Sequence, residues 1–148
     1  MSRTLAVLLG VGAGCLVGMQ APINSRLGKS VGTAQAATFS FLVGTVALVL
    51  LTAFWSGGGL QGLGKIGNAP WWALIGGLLG AVYVTVALVA VRTLGASGLT
   101  AVVITGQLVI SVVIDRLGLL GVARQHIGAG RILGLLLLVA GVLLVVRK

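Results

Sequence analysis

The chain has 148 residues, the length of about one domain. Hydrophobic residues make up 58% of it and Gly fills 25 further positions, while charged residues are only 7%, against about 25% in an ordinary soluble domain. Water cannot wet such a surface and disorder needs the opposite composition, so a soluble enzyme and a disordered chain are both excluded and an all-α integral membrane protein remains. Ten Lys/Arg stand against one acid, Asp115, and one His, His126, for a net charge of +9. In a soluble chain that balance would suggest nucleic acid. Here the cations lie singly between apolar runs, as residues that flank spans and meet lipid phosphates do, and no nucleic-acid partner is expected.

An apolar helix crosses the hydrocarbon core with about 20 residues. Five segments of this single transmembrane domain, 1–148, qualify: about 4–24, 33–55, 71–91, 98–116 and 131–147. The first begins after Arg3 like a signal peptide, but Gly18-Met19-Gln20-Ala21 is a poor cleavage site, so it reads as a retained span. Cys15 within it has no second Cys to pair with and no metal-ligand cluster around it; a small packing residue is the expectation, since Gly12-Ala13-Gly14 does not suit a lipoprotein cleavage box. The connections at 26–32 and 93–97 are short, as between antiparallel neighbours. The Gly-rich stretch 56–70 is longer and spaces Leu60, Leu63 and Ile66 as a short interfacial helix would. Trp55, Trp71 and Trp72 flank it like an aromatic belt at one membrane surface. The stretch 117–130 carries Arg124 and His126, and His126 is expected to be solvated there.

Glycines recur every four residues at Gly10, Gly14 and Gly18, at Gly76 and Gly80, and at Gly130 and Gly134. Small residues at that interval let helix backbones approach closely in lipid, and Gly141 is read the same way. The run Gly10-Val11-Gly12-Ala13-Gly14 has a dinucleotide-loop flavour but follows no strand, so it fails the context such a loop needs.

Polar groups at membrane depth usually face a protein interior or a wet cavity. In the fourth span Thr100, Gln107, Ser111 and Asp115 fall on one stripe at 3.6 residues per turn, with Gln107 near mid-bilayer. Two readings stand: a helix lining a substrate pathway, or hydrogen-bonding glue between helices worth about 0.6–2 kcal/mol per bond. In the first span Gln20 and Asn24 share a face around Pro22, which removes a backbone donor and is expected to kink or end the helix. They read as a gate or ligand contact, or as ordinary span termination. Tyr83 shares a face with Gly76, Gly80 and Ala87 and reads as a pocket wall or as packing. Asp115 adjoins Arg116, so a local pairing at a helix end is expected; coupling to a proton is its alternative role. The sequence offers no Ser/His/Asp set, metal cluster or carboxylate pair, so neither enzyme activity nor a cofactor is expected.

Several blocks together resemble a known family: Gln20-x-x-x-Asn24, Phe41-Leu42-Val43-Gly44, Trp71-Trp72-Ala73-Leu74-x-Gly76-Gly77-Leu78-Leu79-Gly80, Leu94-Gly95-Ala96 through Gly106-Gln107-Leu108 to Asp115, and Gly130-Arg131-x-x-Gly134 leading to Gly141. They are similar to the YdcZ-like branch of the drug/metabolite transporter superfamily over essentially the whole chain. The resemblance implies five spans and a multi-pass transporter of the bacterial inner membrane. A more distant similarity, in Gly134 through Ala140-Gly141-Val142, is to the dimerising last helix of the small multidrug resistance proteins. Those carry a Glu in their first span, and this first span has no acid.

The expectation is therefore a transporter in the lipid bilayer that moves a small molecule by alternating access at a dimer interface, with Gln20, Asn24, Tyr83, Thr100, Gln107 and Ser111 along the path. A helical partner subunit of another membrane protein, or a channel, are the rival readings. On the N-terminal side of five spans lie Arg3, Lys65, Arg116, Arg124 and Arg131; on the other lie Arg26, Lys29, Arg92, Arg147 and Lys148. Cation bias normally sets orientation, and an even split predicts dual topology and an antiparallel homodimer, with an oppositely oriented paralogue as the other partner possible. With one acid beside a cation, the expected cargo is neutral, weakly polar or anionic, without obligatory proton antiport.

Overall fold

The computed structural model describes residues 2–55 and 59–147, the side chains of residues 55 and 59 excepted. Four helices carry nearly all of it: α1 (Arg3–Val31), α2 (Thr33–Trp55), α3 (Gly76–Leu117) and α4 (Ala129–Val146). Each is long and apolar enough to cross a membrane. The chain divides into two compact units, Met1–Arg92 and Thr93–Lys148.

Ser2 starts α1 by accepting the Leu5 N–H on its hydroxyl at 3.2 Å, which satisfies one of the free donors of a first turn. Of the two expectations at Pro22, a kink or an end, the end is overturned: α1 runs on to Val31 with Pro22 inside it. Proline removes one intrahelical donor, a loss that membrane helices tolerate where neighbouring groups re-satisfy the backbone. Gly32, at φ 99°, separates α1 from α2. Beyond α2, Gly59–Asn68 is a 3-10 helix. Its three residues per turn set Leu60, Leu63 and Ile66 in one row, so the short-helix expectation holds for 59–68 and residues 56–58 lie outside the described part. Trp71–Ile75 forms a second 3-10 turn before α3. Trp71 and Trp72 are exposed there, as belt residues are, while the side chain of Trp55 lies outside the described residues.

A straight helix of 42 residues would be about 63 Å long, twice the hydrocarbon thickness. α3 is not straight in its dihedrals: Gly95 adopts φ 71°, ψ 173°, a region essentially reserved for glycine. It divides α3 into segments 76–94 and 96–117, about 28 and 33 Å at 1.5 Å per residue. The connection expected over 93–97 is thus a single residue. Leu94 and Ala96 are good helix formers and continue the helical pattern up to the break on both sides.

The core of the first unit is small. Ala36, Ala37, Val84 and Leu88 are buried together, with Leu27 and Tyr83 packed against them. Alanines at this crossing let α2 approach the first segment of α3 closely, and Leu88 is fully buried there. Toward the other end Phe41 meets Gly80, where an added Cβ would stand 3.3 Å from the ring. A Cβ at Gly10, Gly14, Gly18, Gly76, Gly134 or Gly141 would meet nothing within 4 Å in this chain. Cys15 is likewise exposed on α1.

Candidate functional site: a polar crevice between α1 and α3

The polar residues of α1 converge on the core. Asn24 and Ser25 are buried, which in a membrane protein demands partners. Asn24 Nδ2 donates to Ser40 Oγ on α2 at 2.9 Å. Ser25 Oγ donates to the Leu88 carbonyl at 3.1 Å and accepts from Arg92 Nε at 3.2 Å. A second guanidinium nitrogen of Arg92 reaches Thr33 Oγ1 at 3.4 Å. Arg92 therefore ties α1, the start of α2 and the first segment of α3 at one end of the unit. It lies over Gly28, where an added Cβ would come within 3.0 Å of the guanidinium. Among the described residues no buried side-chain N or O lacks a partner.

Beside this cluster a crevice is lined by Gln20, Ala21, Asn24, Tyr83, Val84, Ala87 and Leu88. Three of the residues singled out from sequence, Gln20, Asn24 and Tyr83, thus meet at one place. It has essentially no room even for a water molecule (a volume of about 0 Å³), against the roughly 300 Å³ at which small-molecule pockets begin. Ser40, Thr33 and Arg92, which complete the polar network, carried no sequence signal of their own. Arg92 reads there as one more cation at the end of a span.

The other four candidates lie in the second unit, along the second segment of α3. Thr100 is half-buried, Gln107 and Ser111 are exposed, and Asp115 is half-buried. Asp115 pairs with Arg131 at the start of α4, 3.0 Å away, and not with Arg116 as its position in sequence suggested. Successive residues on a helix point in different directions, so i and i+1 do not face each other; the turn after α3 brings α4 back to the same end. Thr105 spends its hydroxyl on the Ala101 carbonyl at 2.9 Å. Among the described residues no group of three His, Cys, Asp or Glu could hold a metal.

Long apolar helices, no strand among the described residues, and interior polar groups that are amides and hydroxyls define a multi-pass helical membrane protein. The chain belongs to the family described as "Putative inner membrane exporter, YdcZ", whose profile matches residues 5–144. That makes it a membrane transporter of the inner membrane. No curated protein and no solved structure matches it.

Proposed function

We propose that the chain exports a small neutral, weakly polar or anionic solute by alternating access at the interface of an antiparallel homodimer. The observation that carries the reading is the meeting of Gln20, Asn24 and Tyr83 in one crevice. Amide and phenol groups there can exchange hydrogen bonds with a polar cargo without requiring it to be charged. The crevice is too small for a solute by itself, which favours a chamber completed by a second copy. Gln107 and Ser111, exposed in the single chain, would face that copy. Within the first unit Arg92 bonds Ser25 and Thr33, which flank Arg26 and Lys29 in sequence, and cations gathered at that end suit the even cation split behind dual topology. Asp115, the one acid of the chain, is paired with Arg131, and obligatory proton antiport is not part of the mechanism.

The test begins with detergent-purified protein and a thermal-shift screen of small metabolites, followed by flux of each hit into proteoliposomes with and without a pH gradient. Saturable flux by the protein alone, indifferent to the gradient and reduced in Gln20→Ala, is the expected result. Uphill transport that requires the gradient and is lost in Asp115→Asn would make Asp115 the coupling site and overturn this account of energetics. Flux far above carrier rates would make the protein a channel.

A further inference from the structure

The C-terminal end of α3 carries a second cluster, independent of the export reading. Gly118 takes the left-handed conformation (φ 67°, ψ 37°) and stops the helix, as a C-terminal glycine commonly does. The chain turns back through Leu119–Gly121, and the Gln125 N–H donates to the Asp115 carbonyl at 2.8 Å. This return lays Arg124 against the helix end, where its Nε donates to the Arg116 carbonyl at 2.9 Å. Arg116, Arg124, Gln125 and His126 together line a recess of about 390 Å³.

Asp115 is the only acidic side chain in the sequence, and Arg131 occupies it. No side-chain carboxylate of this chain is left for Arg116 or Arg124. With Nε anchored, Arg124 keeps its terminal N–H donors for a ligand, and guanidinium forks match the geometry of phosphate oxygens. The surroundings indicate where that phosphate comes from. Leu117, Leu119, Leu120 and Val122 are exposed next to these cations, and apolar side chains so placed insert at the boundary between headgroups and acyl chains. Inserted in that way, they would set the guanidiniums at headgroup level.

We propose that this recess binds the phosphate of an anionic phospholipid, phosphate being the recognised chemistry and the lipid headgroup its source. The full-length protein is purified in detergent, mixed with equal amounts of phosphatidylglycerol and phosphatidylcholine, and the retained lipid is counted by native mass spectrometry. The choline cation of phosphatidylcholine cancels its phosphate charge, so two guanidiniums should prefer phosphatidylglycerol by about twenty-fivefold at low ionic strength, roughly fivefold each. R116Q/R124Q is expected to abolish it, whereas R26Q/K29Q, which removes the same charge from α1, keeps it. R124K retains the charge without the Nε anchor and should fall between. An equal loss in R26Q/K29Q would show unspecific charge attraction and overturn the site. Displacement of phosphatidylglycerol by an equal concentration of inorganic phosphate would make free phosphate the ligand and overturn the lipid assignment. If circular dichroism shows R116Q/R124Q to be unfolded, the single variants R116Q and R124K decide, and full preference in both would overturn the proposal.

Discussion

Replacing Ser25 by Ala removes one oxygen that serves two helices. The hydroxyl donates to the Leu88 carbonyl and accepts from Arg92 Nε, and it is 5% exposed. A hydroxyl bond between membrane helices contributes about 0.6 kcal/mol on average. A bond to a charged group contributes roughly 1.5–3 kcal/mol when buried, and much less here because Arg92 is exposed and its charge is screened. The Leu88 carbonyl retains its place in the helix ladder, so it is not orphaned. Ser25→Ala should therefore destabilise the protein by about 1 kcal/mol, a fall in Tm of roughly 2–4 °C for a chain of this size. The assay is a double-mutant cycle with Arg92→Ala, read by thermal unfolding of the detergent-purified protein. With Arg92 absent, Ser25→Ala should cost no more than about 0.6 kcal/mol, the share of the Leu88 bond. Strictly additive losses would mean that Ser25 and Arg92 are not coupled, and the clamp between α1 and α3 would have to be abandoned.

Gly80→Ala should lower Tm, because its Cβ would stand 3.3 Å from the stiff ring of Phe41, whereas Gly76→Ala, which meets open space, should be neutral or stabilising by up to about 1 kcal/mol; thermal unfolding separates the two. Gln107→Ala should abolish or alter transport in proteoliposomes while dimer assembly stays measurable by cross-linking. Thr105→Ala should leave transport intact, since that hydroxyl is bonded to its own helix, and equal sensitivity at both positions would reduce the stripe to packing. A reporter fused to the C-terminus should give signal in both compartments; signal from one side alone would remove dual topology.

Apolar run length made the spans of this protein legible in the sequence, because the bilayer sets a fixed length that composition alone can match. Boundaries decided by one residue's dihedrals were not legible. Pro22 looked like an end and lies inside α1, while Gly95 sits among helix formers and breaks α3. The site divided in the same way. Gln20, Asn24 and Tyr83 stand out as polar groups at membrane depth, but their meeting in one crevice depends on how α1 packs on α3, which no local pattern encodes. Arg92 and Ser40 were invisible because their roles consist entirely of partners distant in sequence. Asp115 was assigned its neighbour in the chain when its partner in space is Arg131. The glycine spacing was the reverse case, a clear pattern that within one chain brings only Gly80 of the singled-out glycines against a side chain.

Four bonds that join helices in the first unit are gathered at one end: Asn24 to Ser40, Ser25 to Leu88, and Arg92 to Ser25 and Thr33. Farther out, α1 from Arg3 to Val17 and α2 from Phe41 to Leu51 have no buried residue, and the hydroxyls of Thr38 and Thr85 are returned to their own helices. Such a unit is built like tongs, stiff at the pivot and compliant at the tips. Each helix keeps its backbone bonds in lipid, so the tips part by tilting whole rods and not by unravelling. The arms have few contacts that would resist their parting, and motions that break few contacts belong to the low-stability end of a structure. A small change at the pivot, such as the loss of the Asn24–Ser40 hydrogen bond, is magnified by the length of the arm.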